Sequence, residues 1–254
     1  MKQIPNAFTL LNLIFGCLAV VFILQGGILI ANSPEGSQTI EIPEKIWYAS
    51  LCIGLASVAD FADGLLARLL KVSSPIGKEL DSLSDVVSFG VAPGMILFQF
   101  LRLSLMNQED GVDAPLIYAL PAFLIPCASA WRLARFNLDP SQQTGFKGVP
   151  TPAMGLLVAS LPLIYWTTDS QTIADLLLNK WFLYGIILVL SAAMVSRIPL
   201  MALKFQDFSF RHNLPAILLL ILSATAGLFL KWLAVPVIFI LYVVLSLAFK
   251  NQKA

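Results

Sequence analysis

Long apolar runs recur along the whole chain, separated by short polar connections. A run of roughly 20 residues is what a helix needs to span hydrocarbon, and helices satisfy their own backbone polar groups there, whereas loops and open strands do not. The pattern predicts about eight spans, near residues 8–31, 46–71, 79–106, 114–137, 152–168, 180–197, 213–231 and 233–249. An all-α polytopic transmembrane bundle follows, with 1–254 as one integral membrane domain and no room for a soluble domain between spans.

The opening "MKQIPNAFTLLNLIFGCLAVVF" has a lysine ahead of an apolar run, as a signal peptide does. The run carries no small-residue cleavage site, so it reads as a retained first helix. Composition reinforces the membrane assignment: 58% of the 254 residues are hydrophobic and 12% charged, far from the usage of soluble domains. Mean hydropathy is +0.83.

Charge sets the orientation. Of the 16 Lys and Arg, all but Lys45, Arg102, Lys180 and Lys231 fall at alternate ends of the expected spans, together with both termini. That side is expected to be the cytoplasm. The opposite connections carry Glu35, Glu41, Glu44, Glu109, Asp110 and Asp113. A net charge of +1 hides this asymmetry, and nothing points to nucleic-acid binding. Cys17, Cys52 and Cys127 lie inside expected spans without paired spacing and read as reduced packing residues.

One stretch does not fit an inert bundle. "DFADGLLARLLKVSSPIGKELDSLSD", Asp60 to Asp85, sets four aspartates and an arginine among membrane-embedded apolar residues. On a helix, Asp60, Asp63, Gly64, Ala67 and Arg68 share one face. At 1.5 Å rise per residue, Asp60 lies roughly 16 Å and Asp63 roughly 12 Å from the span's end at Lys71, within the cytoplasmic half of the bilayer. After "VSSPIG", Asp81 and Asp85 stand i, i+4 on the next, antiparallel helix, so that two carboxylate pairs face one another at similar depth.

Each ionised carboxylate near the bilayer centre costs on the order of 3 kcal/mol on insertion scales, so compensation is required. Four converging carboxylates suit hard divalent cations, Mg²⁺ or Mn²⁺, held as a pair about 4 Å apart as in phosphoryl-transfer enzymes. Glycine at 64 and 77 admits a ligand to the backbone, Ala67 keeps the face open, and Arg68 offers a donor fork to phosphate. Competing readings are a polar packing contact or Asp–Arg salt bridge, and an ion or proton pathway, which leaves the arginine and glycines without a role.

The spacing D-x2-D-G-x2-A-R-x8-G-x3-D-x3-D, met by Asp60, Asp63, Gly64, Ala67, Arg68, Gly77, Asp81 and Asp85, resembles the CDP-alcohol phosphatidyltransferase family. The resemblance implies a core of six helices, about 1–197, with two further helices at about 213–249. It also implies transfer of a phosphatidyl group from a CDP-lipid to an alcohol with release of CMP. By the same resemblance Asp60, Asp63 and Asp81 are metal ligands, and Asp85 is both a ligand to a second ion and the proton acceptor. Gly64, Ala67, Arg68, Ser74 and Gly77 contact the CDP portion, and "PNAFT" adds Asn6 and Thr9, although Pro5-Asn6 also reads as a plain helix start.

"DSLSDVVSFGVAP", "WRLARFN" and "FKGVPTP" are similar to the subgroup that joins CDP-diacylglycerol and L-serine; Ser84 departs from the usual alanine. Arg132, Arg135 and Asn137 are then candidate serine contacts, or else positive-inside anchors. With one histidine, His212, and no evident activated nucleophile, direct attack by the serine hydroxyl is expected rather than a covalent enzyme intermediate. Inositol phosphate, glycerol phosphate and choline are the alternative acceptors. Intramembrane prenyltransferases resemble N-D-x2-D-x3-D, whereas Ala59 precedes Asp60 here. The resemblance further implies a homodimer in the cytoplasmic (inner) membrane with its site facing the cytoplasm.

Overall fold

The computed structural model describes residues 4–25, 29–32, 38–41, 45–72, 74–106, 115–138, 146–200 and 210–248. Lys2, Lys204, Lys250, Lys253, Glu35, Glu44, Glu109, Asp110 and Asp113, used above to orient the chain, lie outside these residues.

The molecule is a helical bundle. α1 (Ile4–Gln25) leads to a short antiparallel pair, β1 (Leu29–Asn32) and β2 (Gln38–Glu41), and then to α2 (Ile46–Leu69). α3 (Pro75–Asp85) runs through a π-helical segment, Val86–Val91, into α4 (Ala92–Met106). A 3₁₀ segment, Leu116–Phe123, opens α5 (Leu124–Leu138), and β3 (Phe146–Lys147) precedes α6 (Thr151–Thr167). α7 (Gln171–Leu177), α8 (Lys180–Val195), β4 (Pro199–Leu200), α9 (Phe210–Leu230) and α10 (Ala234–Ala248) complete it.

The expected first span overran its helix: α1 stops at Gln25, and Leu29–Asn32 is strand instead. Gly26 and Gly27 follow α1 in sequence, and each glycine costs a helix interior about 1 kcal/mol, which hydropathy does not register. α7 was not anticipated; it bends by 61° against α8.

By length and composition, 5 helical stretches among the described residues can cross a membrane, or 6 with α7 and α8 taken as one span. The difference from eight has two sources. α6, with 17 residues, is short for a span, and residues 218–248 form one apolar helical stretch although two spans are expected there. That stretch is interrupted at Lys231, whose φ of 49° is left-handed, and α9 and α10 pack against each other.

α1 packs along α2 through a seam of small and polar residues. Pro5, Thr9, Asn12, Gly16, Ala19 and Ile23 are its buried positions, three or four apart, and Ala49, Ser50, Ala56 and Ala59 are buried on α2. Small residues let helices approach closely, which is how association proceeds where lipid removes the hydrophobic drive. α1 also packs on α3, while α2 and α3 touch one another little. Of the cysteines, all free, Cys52 is buried as expected, whereas Cys17 and Cys127 face outward.

The centre of the bundle is α4, α6 and the π segment. Phe89, Ile96, Leu97, Phe100, Leu101, Met154 and Val158 are all fully buried. Backbones come close here: a Cβ on Gly155 would stand 3.0 Å from Phe89, and one on Gly90 3.0 Å from Ser129.

The α5–α6 connection is pinned to the end of α8. Gly148 N–H donates to Ile198 at 2.8 Å, Val149 N–H to Ala193 at 3.1 Å, and β3 pairs with β4. Gly148 has φ of 79°, and a Cβ there would meet the carbonyl oxygens of Met194 at 2.5 Å and Ser196 at 2.8 Å. Gly148→Ala therefore combines a left-handed alanine with a clash against backbone, and should destabilise by about 2–4 kcal/mol. Thermal unfolding of the detergent-solubilised protein checks this; a melting temperature within error of the parent contradicts it.

Candidate active site

Three helices build the site, each for a local reason. Ser74 caps α3, its Oγ accepting from Gly77 N–H at 2.9 Å, with Pro75 in the first turn where its missing N–H costs nothing. α1 then lies against α3 so tightly that a Cβ on Gly77 would stand 2.9 Å from Asn6 Oδ1. Gly77 thus serves the α1–α3 contact as well as any ligand.

Asp60, Asp63 and Asp81 converge across the gap between α2 and α3: one carboxylate oxygen from each lies within 4.8 Å of the others. Asp63 is buried and accepts a 2.6 Å hydrogen bond from Thr9 Oγ1, while Asp81 Oδ1 is buried with no hydrogen-bond partner among the described residues. Anionic oxygens gathered so closely, one of them unpartnered, fit a hard divalent cation; three carboxylates and solvent suit Mg²⁺ or Mn²⁺.

Asp85 stands apart from this trio. It lies one turn deeper along α3, 6% exposed, and accepts from Asn12 Nδ2 at 3.1 Å, while remaining in electrostatic contact with Asp60 and Asp81. The π segment begins at the next residue. Such single-turn distortions occur often at functional sites because they re-aim side chains within a continuous helix.

A cavity of about 440 Å³ adjoins the trio, lined by Pro5, Asn6, Thr9, Asp63, Gly64, Ala67, Lys71, Val72, Ser74, Gly77, Lys78 and Asp81. Every residue expected to contact the CDP portion lines it except Arg68, which is exposed and extends its guanidinium over Gly64, Nη2 3.7 Å from where a Cβ would be.

The three expected acceptor residues part company. Arg132 is 7% exposed, donates to Thr151 Oγ1 at 3.4 Å, keeps Nε without a partner among the described residues, and lies in electrostatic range of Asp85. Arg135 instead caps α8, donating to the Val195 carbonyl at 3.1 Å. Asn137 clamps α5 to α3: its Nδ2 donates to Ser82 Oγ at 2.9 Å and its carbonyl accepts from Lys78 Nζ at 3.0 Å.

Sequence reading missed Asn12, Thr151, and Lys71 and Lys78 as cavity residues. The lysines were legible only as positive-inside charges. Asn12 had a signal, since it follows Thr9 by three residues on α1 and a polar side chain inside a span needs a partner.

Residues 2–195 match the model of the CDP-alcohol phosphatidyltransferase family, and the chain belongs to that family. It is an integral membrane enzyme of this class. Among its relatives, the CDP-diacylglycerol–serine O-phosphatidyltransferase of Bacillus subtilis is 32% identical over 165 residues, 65% of this chain and 78% of that protein. The protein of the same name from Mycobacterium leprae is 28% identical over 268 residues, spanning 100% of this chain and 76% of its own length. That from Saccharomyces cerevisiae is 38% identical over 128 residues, 47% of this chain and 42% of that protein.

Asn12 is fully buried, and its main-chain carbonyl accepts from Ser88 Oγ at 3.0 Å as its side chain holds Asp85. Asn12→Leu leaves Asp85 facing hydrocarbon without its donor. The expected cost is about 1–3 kcal/mol of stability and at least about tenfold in turnover. Melting and transferase assays on the purified variant check both; parental turnover removes Asn12 from the site.

Proposed function

We propose that the protein transfers the phosphatidyl group of CDP-diacylglycerol to the hydroxyl of L-serine, forming phosphatidylserine and CMP by direct displacement. The observation that carries this reading is the convergence of Asp60, Asp63 and Asp81 beside a cavity lined by the CDP-contact residues of the family motif. The names of its relatives support serine as acceptor.

Asp60, Asp63 and Asp81 would hold divalent metal, Mg²⁺ or Mn²⁺, and Asp85 would be a ligand to a second ion. Bound there, the metal supplies positive charge against the pyrophosphate and the leaving CMP. The remaining work belongs to the chain. Asn6, Thr9, Gly64, Ala67, Ser74 and Gly77 seat the CDP moiety. Arg68, Lys71 and Lys78 are the cations available to its phosphates at the rim. Asp85, held by Asn12, takes the proton as the serine oxygen bonds to the diacylglycerol-linked phosphorus and the bond to the CMP oxygen breaks.

Serine also brings a carboxylate. Arg132 is assigned to it, because a buried guanidinium with a free Nε is a preorganised carboxylate partner. Arg135 and Asn137 keep the end of α5 in place for that contact. The excess of Lys and Arg at one side of the spans supports a site facing the cytoplasm from the inner membrane, and the family resemblance supports a homodimer.

CMP release from CDP-diacylglycerol should require both L-serine and divalent metal, and Asp85→Asn should reduce it by about 10²–10⁴-fold. Release that is indifferent to serine but supported by inositol phosphate, glycerol phosphate or choline would reassign the acceptor. Labelled CMP should not exchange into CDP-diacylglycerol without serine; robust exchange would instead establish a covalent intermediate.

A further inference from the structure

α3 buries little of its own surface: Ser84 and Asp85 are its buried residues, whereas Ile76 and Leu83 are exposed. α1 packs against it and the π segment continues it. With so little apolar area withdrawn from its surroundings, the placing of α3 depends on polar ties.

One such tie comes from α5, where three hydrogen bonds close a ring. Asn137 Nδ2 donates to Ser82 Oγ at 2.9 Å, Ser82 Oγ donates to the Lys78 carbonyl at 3.2 Å, and Lys78 Nζ donates to the Asn137 carbonyl at 3.0 Å. The Ser82 hydroxyl thus both accepts and donates, which only a hydroxyl can do at that point. The end of α5 has an anchor of its own, Arg135 on the Val195 carbonyl, so α5 is the fixed member and α3 the member held.

The ring brackets Asp81. Ser82 is the next residue, and Lys78 precedes it by three, a spacing at which opposite charges on a helix pair. Yet Lys78 Nζ is engaged by the Asn137 carbonyl, and the buried Asp81 Oδ1 has no hydrogen-bond partner among the described residues. Lys78 also lines the cavity, and since an ammonium carries three donors, the contact with Asn137 leaves two for a ligand there.

We propose that Asn137 is a positioning residue for the metal-binding carboxylates. Through Ser82 it holds the turn of α3 that carries Asp81, and through its carbonyl it keeps Lys78 from pairing with that carboxylate, which leaves Asp81 for a divalent cation. This rests on the reading of Asp60, Asp63 and Asp81 as metal ligands. A residue that motif similarity marks as an acceptor contact then serves the metal side of the site.

The test is Mn²⁺ binding to the purified, detergent-solubilised full chain without substrates, followed by the electron paramagnetic resonance signal of the free ion. Asn137→Ala and Ser82→Ala each open the ring, and each should raise the Mn²⁺ dissociation constant by about threefold to tenfold, the scale of one lost hydrogen bond behind a ligand. Ser82→Thr keeps the hydroxyl and should bind within about twofold of the parent. An affinity within about twofold of the parent in either alanine variant overturns the proposal, and so does a loss in Ser82→Thr equal to that in Ser82→Ala. If one alanine variant fails to accumulate, the other decides. Asp81→Asn, titrated in parallel, separates the two levels. If it weakens Mn²⁺ binding and the alanine variants do not, only the role of Asn137 falls; if none of them does, the metal reading falls as well.

Discussion

Two acidic helices must be held close enough for their carboxylates to meet, yet not packed so tightly that the space between them closes. The bundle meets this constraint by giving the packing to a third helix. α1 lies along α2 through a seam of small residues and also against α3, so that α2 and α3 are positioned by a common neighbour rather than by each other. The same face of α1 supplies the polar groups that the gap needs: Thr9 on Asp63 and Asn12 on Asp85. A substitution on this face is therefore both a packing change and an electrostatic one.

Carboxylates at this depth persist only where each has a partner, because a medium of low polarity strengthens every satisfied contact and penalises every missing one. Asp63 and Asp85 have donors from α1, and Arg132 faces Asp85 from α5. Asp60 and Asp81 have each other and the trio, with one Asp81 oxygen unpartnered among the described residues. The residual negative charge lies where metal is proposed to bind.

Much of this was legible in the sequence. Helical class and most span ends follow from apolar run length, and the eight motif positions identify the aspartate helices because i, i+3 and i+4 spacing translates directly into a face. What was not legible is whatever depends on a neighbour distant in sequence. Arg135 and Asn137 share a motif with Arg132, but their partners, Val195 and Ser82, are remote, and only those partners reveal that the two residues clamp α5. Gly77 is similar: spacing marks it as a ligand contact, whereas α1 approaching at 2.9 Å shows a packing demand as well. The end of α1 was missed because apolar content does not register a glycine pair.

The placing of the cavity also bears on how the lipid and the water-soluble substrate of the proposed reaction would meet. In the proposed reaction diacylglycerol chains would stay in hydrocarbon while nucleotide and amino acid come from water, so the reacting phosphorus would need apolar access on one side and polar access on the other. The cavity between α1, α2 and α3 has both kinds of lining: Lys71, Ser74 and Lys78 are polar and exposed, and Pro5, Ala67 and Val72 are apolar. Depth is then not incidental to the aspartates. Placed earlier on α2, in the apolar stretch before Asp60, they would lie farther along the helix from Arg68 and Lys71 and from the cavity those turns border.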